Sequence, residues 1–125
     1  MGGQVGWHFW FIAFALTIIL EAPWIIAGLR AFEPSRTRRV LALLFANLVT
    51  HPLVWYLFPS LPLPRRYSLM GSEVWAFAAE WLFYACYVHR LTCLRAALLS
   101  FGANGTSFLV GWFIIRYFGA TLFRW

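Results

Sequence analysis

Lysine and aspartate are missing from this chain, and charged residues of any kind make up only 11% of it. Soluble domains carry about 25% charge and about 45–50% apolar residues, whereas here 62% are apolar and 21% aromatic, so water is not the solvent for most of the surface. Cysteine is scarce as well. Cys86 and Cys93 lack any metal spacing and read as small idle thiols, which excludes a disulfide framework or a zinc module. Repeats, low-complexity tails and flexible linkers do not appear, so residues 1–125 are expected to form a single four-helix transmembrane domain.

The formal charge of +6 comes from ten arginines against four glutamates. Most of the arginines flank apolar runs, which fits anionic headgroups rather than nucleic acid, and no nucleic-acid partner is expected. The segment before Trp7 has no basic start, and the apolar run after it is too long for a signal-peptide core, so it is expected to stay as a span.

Four such runs follow one another, at about 7–29, 40–58, 72–88 and 96–117, and about 20 residues at 1.5 Å each cross the hydrocarbon. An Arg-rich turn with Glu33-Pro34-Ser35 as its breaker separates the first two. Pro59, Pro62 and Pro64 make an extended loop before the third, expected to open at Ser72 and Glu73, and His89 to Arg95 form a tight turn before the fourth. The fold expected is an all-α antiparallel bundle of four transmembrane helices. Arg30, Arg36, Arg38, Arg39, Arg90 and Arg95 fall at one face against Arg65, Arg66, Arg116 and Arg124 at the other, which places both termini outside the cytoplasm of a bacterial-type inner membrane. Trp7, Trp10, Trp55, Trp75, Trp112 and Trp125 lie toward span ends and read first as interfacial belts.

Against this background the strongly polar residues inside the spans stand out. A charged side chain at a helix centre costs about 2.5–3.5 kcal/mol on the insertion scale, so an intramembrane Glu points to function by default. Counted along the spans, Glu21 and Glu80 fall within roughly 5 Å of the midplane, and Asn47, His51, Ser100 and Asn104 reach the central third. Helical phase agrees. Glu73, Phe77, Glu80, Tyr84 and Tyr87 form one stripe of span three, Ser100, Asn104, Ser107 and Gly111 one of span four, Asn47, Thr50 and His51 one of span two, and Trp10, Phe14, Thr17 and Glu21 one of span one. Ser107 and Gly111 also read as a small-residue packing seam. Pro23 and Pro52 each leave a backbone carbonyl free beside this layer.

The ion- or proton-binding set is therefore expected to be Glu21, Glu80, His51, Asn47 and Asn104, supported by Glu73, Thr50, Tyr84, Ser100 and Ser107. Its oxygen-rich donors suit a divalent cation or protons. A metal, if bound, falls to Glu21, Glu80 and His51, although no compact ligand motif occurs in any span. A proton-linked role needs less geometry, with His51 as coupling base and Glu73 as entry point. Bis-histidine haem is argued against, because His8, His51 and His89 are about 15 Å apart in depth at helical rise. A hydrolase lacks a glycine-flanked nucleophile. Small multidrug exporters are similar in placing one acid, here Glu21, within span one, but their pattern has neither a second mid-membrane Glu nor the segment Asn47-x-x-Thr50-His51-Pro52, and no residue is carried over from them.

Three functions remain open at this point. The first is ion- or proton-coupled transport or cation binding, as an oligomer within the lipid bilayer. The second is a non-catalytic subunit of a larger membrane complex, with aromatics facing lipid, pigment or other membrane subunits. The third is an intramembrane enzyme using Glu80 and His51, which has the least support.

Overall fold

The computed structural model describes residues 6–122, all of whose regular structure is helical. Trp125 and Arg124, invoked above as belt and charge, lie outside the described residues. Helix α1 runs Trp7–Gly28, α2 Arg36–Ser60, α3 Arg65–Tyr87 and α4 Cys93–Leu122. By length and composition α1, α2 and the stretch Cys93–Phe118 of α4 are long and apolar enough to cross a membrane, whereas α3, with its glutamates and basic start, has the length but not the composition.

Local chemistry sets the boundaries. The Ser35 side chain accepts from the backbone N–H of Arg38 at 3.3 Å and so caps α2. Glu33 holds that cap in place by accepting from the Ser35 N–H at 3.1 Å and pairing with Arg38 at 3.4 Å. Thr92 plays the same part before α4, accepting from the Arg95 N–H at 3.3 Å. Arg90, in the turn between, adopts a left-handed φ of 66° that reverses the chain.

Pro52 falls within α2 and has no N–H to give Leu48, and the helix answers by widening over Leu53–Leu57 into π geometry, with the Phe58 N–H reaching back to the Leu53 carbonyl. The helix then continues to Ser60, so Pro59 lies in its last turn rather than in an extended loop.

The start of α3 corrects the expectation more strongly. It opens at Arg65, seven residues before Ser72, because Pro64 presets the entry with φ −54° and because Ser68 donates to the Phe58 carbonyl, tying the added turns to the end of α2. Arg65 and Arg66 thus belong to a helix whose first turns direct serines, Ser68 and Ser72, toward the bundle, a start that hydropathy alone passes over.

Each helix packs against its neighbour in sequence, and α4 closes the ring on α1, giving a four-helix up-and-down bundle. The core runs through Ile25, Leu29, Leu43, Tyr84 and Val88, with Ala42, Ala46, Ala96 and Ala103 at the crossings, where the absence of bulk lets backbones approach. Gly102 is one position where no side chain fits: a Cβ there would meet the Trp24 ring at 2.6 Å, and the same Trp24 donates to Thr106 at 2.9 Å, fixing α1 on α4. Gly111 has open space on its Cβ side, so the seam expected at Ser107 and Gly111 is not filled within the bundle. Large apolar side chains such as Ile12, Phe45, Leu82 and Leu109 point outward along the helices, as a lipid solvent requires.

Candidate functional site: a buried carboxyl pair

The polar layer expected from sequence is assembled at the centre of the ring. Glu21 on α1 is 0% exposed and Glu80 on α3 is 1% exposed. Glu21 accepts from the Asn47 amide at 2.8 Å through Oε2 and from the Ser107 hydroxyl at 2.9 Å through Oε1. Glu80 accepts from the Asn104 amide at 2.8 Å through Oε2 and from the Thr50 hydroxyl at 3.0 Å through Oε1. Each carboxyl therefore joins its own helix to both α2 and α4. Backbone carbonyls anchor the amides: Asn47 also donates to Leu43 at 3.2 Å and Asn104 to Ser100 at 3.0 Å. Ser100 in turn donates to the Phe77 carbonyl at 2.9 Å, linking α4 to α3 one turn along.

The two carboxyl sites are built alike. In α2 an Asn is followed three residues later by a hydroxyl, Asn47 and Thr50, and α4 repeats this with Asn104 and Ser107. Each Glu takes the amide from the helix that follows it in sequence and the hydroxyl from the other half of the chain. The correspondence extends outward. Positions four and eight after each Glu are buried in both halves, Ile25 and Leu29 against Tyr84 and Val88, and so are positions four and one before each Asn, Leu43 and Ala46 against Ser100 and Ala103. Exchange of the helix pair α1–α2 with α3–α4 maps one site onto the other. No repeat was visible along the sequence because the matched positions share environment and bonding geometry rather than residue identity.

The hydroxyls have a second acceptor within reach. Thr50 Oγ1 lies 3.2 Å from the Ala46 carbonyl, and Ser107 Oγ lies 3.1 Å from the Asn104 carbonyl. A hydroxyl carries one proton and two lone pairs, so each can either donate to its carboxylate or turn to its own helix and accept from a protonated carboxyl. The amide on the other oxygen donates in both cases. The arrangement is thus satisfied whether or not the carboxyl holds a proton.

Cationic side chains do not share this layer. Among the described residues the single salt bridge is that of Arg38 with Glu33, at the helix ends, and no group of three or more His, Cys, Asp or Glu is gathered to hold a metal ion. Glu21, Glu80 and His51 are accordingly not brought together as a metal site. His51 instead occupies an aromatic box, with ring centroids of Trp10, Phe14 and Trp55 at 5.6, 5.3 and 5.8 Å. Its Nε2 is buried and without a hydrogen-bond partner among the described residues, as is Nε1 of Trp10. Trp10 is thereby corrected from interfacial belt to interior residue, because its indole covers His51; Trp7 and Trp112 are exposed as belts should be. Glu73, two turns from Glu80 on the same helix, is partly buried and makes no hydrogen bond or ion pair among the described residues. Tyr84 is buried one turn to the other side of Glu80, its hydroxyl likewise without a partner there.

The chain matches no protein-family model, no curated protein and no solved structure. What fold and composition define is a small all-helical membrane protein, with three helices long and apolar enough to span a bilayer around a hydrogen-bonded carboxyl pair.

Proposed function

We propose that the chain is a four-span membrane protein whose paired carboxyls, Glu21 and Glu80, bind and release protons in ion- or proton-coupled transport. The observation that carries this reading is the pair of hydroxyl switches. Thr50 and Ser107 each have a backbone acceptor as an alternative to the carboxylate, so protonation costs neither site a hydrogen bond. Electrostatics supports the same reading. Two carboxylates with neutral donors alone leave two negative charges in hydrocarbon, and a mobile cation is the means of neutralising them. A proton needs no coordination shell, which suits a layer without a cluster of metal ligands.

In this reading α3 is the fourth span, since about 34 Å of helix at 1.5 Å per residue suffices and Glu80 faces the interior. The Arg-rich turns face the cytoplasm and both ends of the chain lie outside. His51 and Glu73 lie on the outer side of the pair and pass protons toward it, with Trp10 and Phe14 excluding bulk water. A bundle this small encloses little pathway, and the working unit is an oligomer in the bilayer.

The same four hydrogen bonds favour a second reading, in which the layer only fastens helices and the chain is a non-catalytic subunit of a larger membrane complex. Reconstituted liposomes with an entrapped pH-sensitive dye separate the two. Transport predicts proton movement under an imposed gradient that Glu80→Gln abolishes while the protein stays folded. Movement no faster than in empty liposomes, or unaltered in the variant, contradicts it.

A further inference from the structure

Outside the central layer, the most distinctive feature is a groove of about 540 Å³ between α1 and α2 at their Arg-rich ends. Its walls are of two kinds. Ile19, Pro23 and Ile26 give an apolar strip along α1 that extends for seven residues, about 10 Å at helical rise, toward the middle of the bundle. Arg30, Arg36 and Arg39 close the other end.

Arg39 is the unusual member. It is 8% exposed, and its Nη1 donates to the Ile26 carbonyl, left free because the Arg30 N–H turns to Ala27. Its Nε is buried with no hydrogen-bond partner among the described residues. Glu33, the one acid of this region, is engaged with Arg38 and the Ser35 cap. A buried guanidinium with an idle N–H and no carboxylate partner favours an anion beside it, and two further arginines line the groove with no side-chain hydrogen bond or ion pair among the described residues.

We propose that this groove binds an anionic phospholipid, with the phosphate on Arg30, Arg36 and Arg39 and the start of an acyl chain along Ile19, Pro23 and Ile26. Charge complementarity calls for the phosphate. The apolar strip leading away from it toward the membrane interior distinguishes a lipid from a free anion.

Native mass spectrometry of the detergent-purified chain, titrated separately with phosphatidylglycerol, phosphatidylcholine and inorganic phosphate, tests this. Because Arg39 also caps α1, the variant used is the double substitution Arg30→Gln with Arg36→Gln, at two exposed positions whose side chains make no hydrogen bond or ion pair among the described residues. One phosphatidylglycerol per chain is expected, bound about tenfold or more tighter than phosphatidylcholine, and that preference is lost in the double variant while thermal unfolding stays within a few degrees of the parent. Equal retention of the two lipids, a preference that survives the double substitution, or inorganic phosphate competing at the same concentration as the lipid overturns the proposal.

Discussion

Asn104 donates to Glu80 over 2.8 Å, through the same pair of atoms and at the same distance at which Asn47 donates to Glu21. The two bonds lie in opposite halves of the chain. Each is completed by a hydroxyl from the other half, so neither helix pair can satisfy its own carboxyl alone. Folding of the bundle and closure of the polar layer are therefore one event, since hydrocarbon offers an unpartnered carboxyl nothing else to bond.

Replacing Glu80 by Gln is expected to keep the bundle. The Gln carbonyl accepts from Asn104, its amide donates to Thr50, and the Thr50 hydroxyl turns to the Ala46 carbonyl. Thermal unfolding in detergent should show a loss within about 1 kcal/mol, whereas Glu80→Ala, which strands the Asn104 N–H and leaves a void at the centre of the layer, costs about 1–3 kcal/mol. A Gln variant as unstable as the Ala variant contradicts the rotating hydroxyl.

The layer itself was legible in the sequence because cost in lipid singles out a few residues. Glu21, Asn47, Glu80, Ser100 and Asn104 were marked by polarity, depth and phase, Thr50 and Ser107 by polarity and phase, and the bundle joins them, whereas His51, marked on the same grounds, lies outside these bonds. The pairing between them was not legible. Nothing local tells Thr50 to seek Glu80 and leave Glu21 to Asn47, since that depends on the order of helices around the ring. The early start of α3 was missed for a related reason: Arg65 to Gly71 lack the hydropathy of a span, and it is tertiary contact of Ser68 with Phe58 that holds those turns. Trp10 was assigned to the headgroup level from its place near a span end, while its partner His51, which draws it inward, is forty-one residues away.

Hydroxyl chemistry, not side-chain shape, should decide tolerance at the two switches. Thr50→Ser and Ser107→Thr keep the donor and are expected to unfold close to the parent. Thr50→Val and Ser107→Ala should each cost about 0.5–2 kcal/mol in detergent unfolding assays, the range of interhelical hydrogen bonds in membranes. Equal losses from the conservative and the disruptive changes count against the assigned bonds.

The two amides should be energetically alike and coupled to their own carboxyls. Asn47→Ala and Asn104→Ala are each expected to destabilise by about 0.5–2 kcal/mol. In double-mutant cycles Asn47 should couple to Glu21 and Asn104 to Glu80, with cross-pairs near zero. Coupling of Asn47 to Glu80 as strong as to Glu21 contradicts the pairing.

Gly102 admits no side chain without moving the Trp24 ring. Gly102→Leu should cost about 1–3 kcal/mol by overpacking and should alter tryptophan fluorescence as the Trp24 bond to Thr106 breaks. Gly111→Leu, with open space at its Cβ, is the control and should leave a detergent-solubilised monomer unchanged.

An exchangeable proton on the buried pair is read directly by infrared difference spectroscopy across a pH step. A protonated-carboxyl carbonyl band is expected that shifts in deuterium oxide, changes with pH, diminishes in either Glu21→Gln or Glu80→Gln, and vanishes in the double variant. The same band persisting in the double variant, or no such band in the parent at any pH, would contradict it.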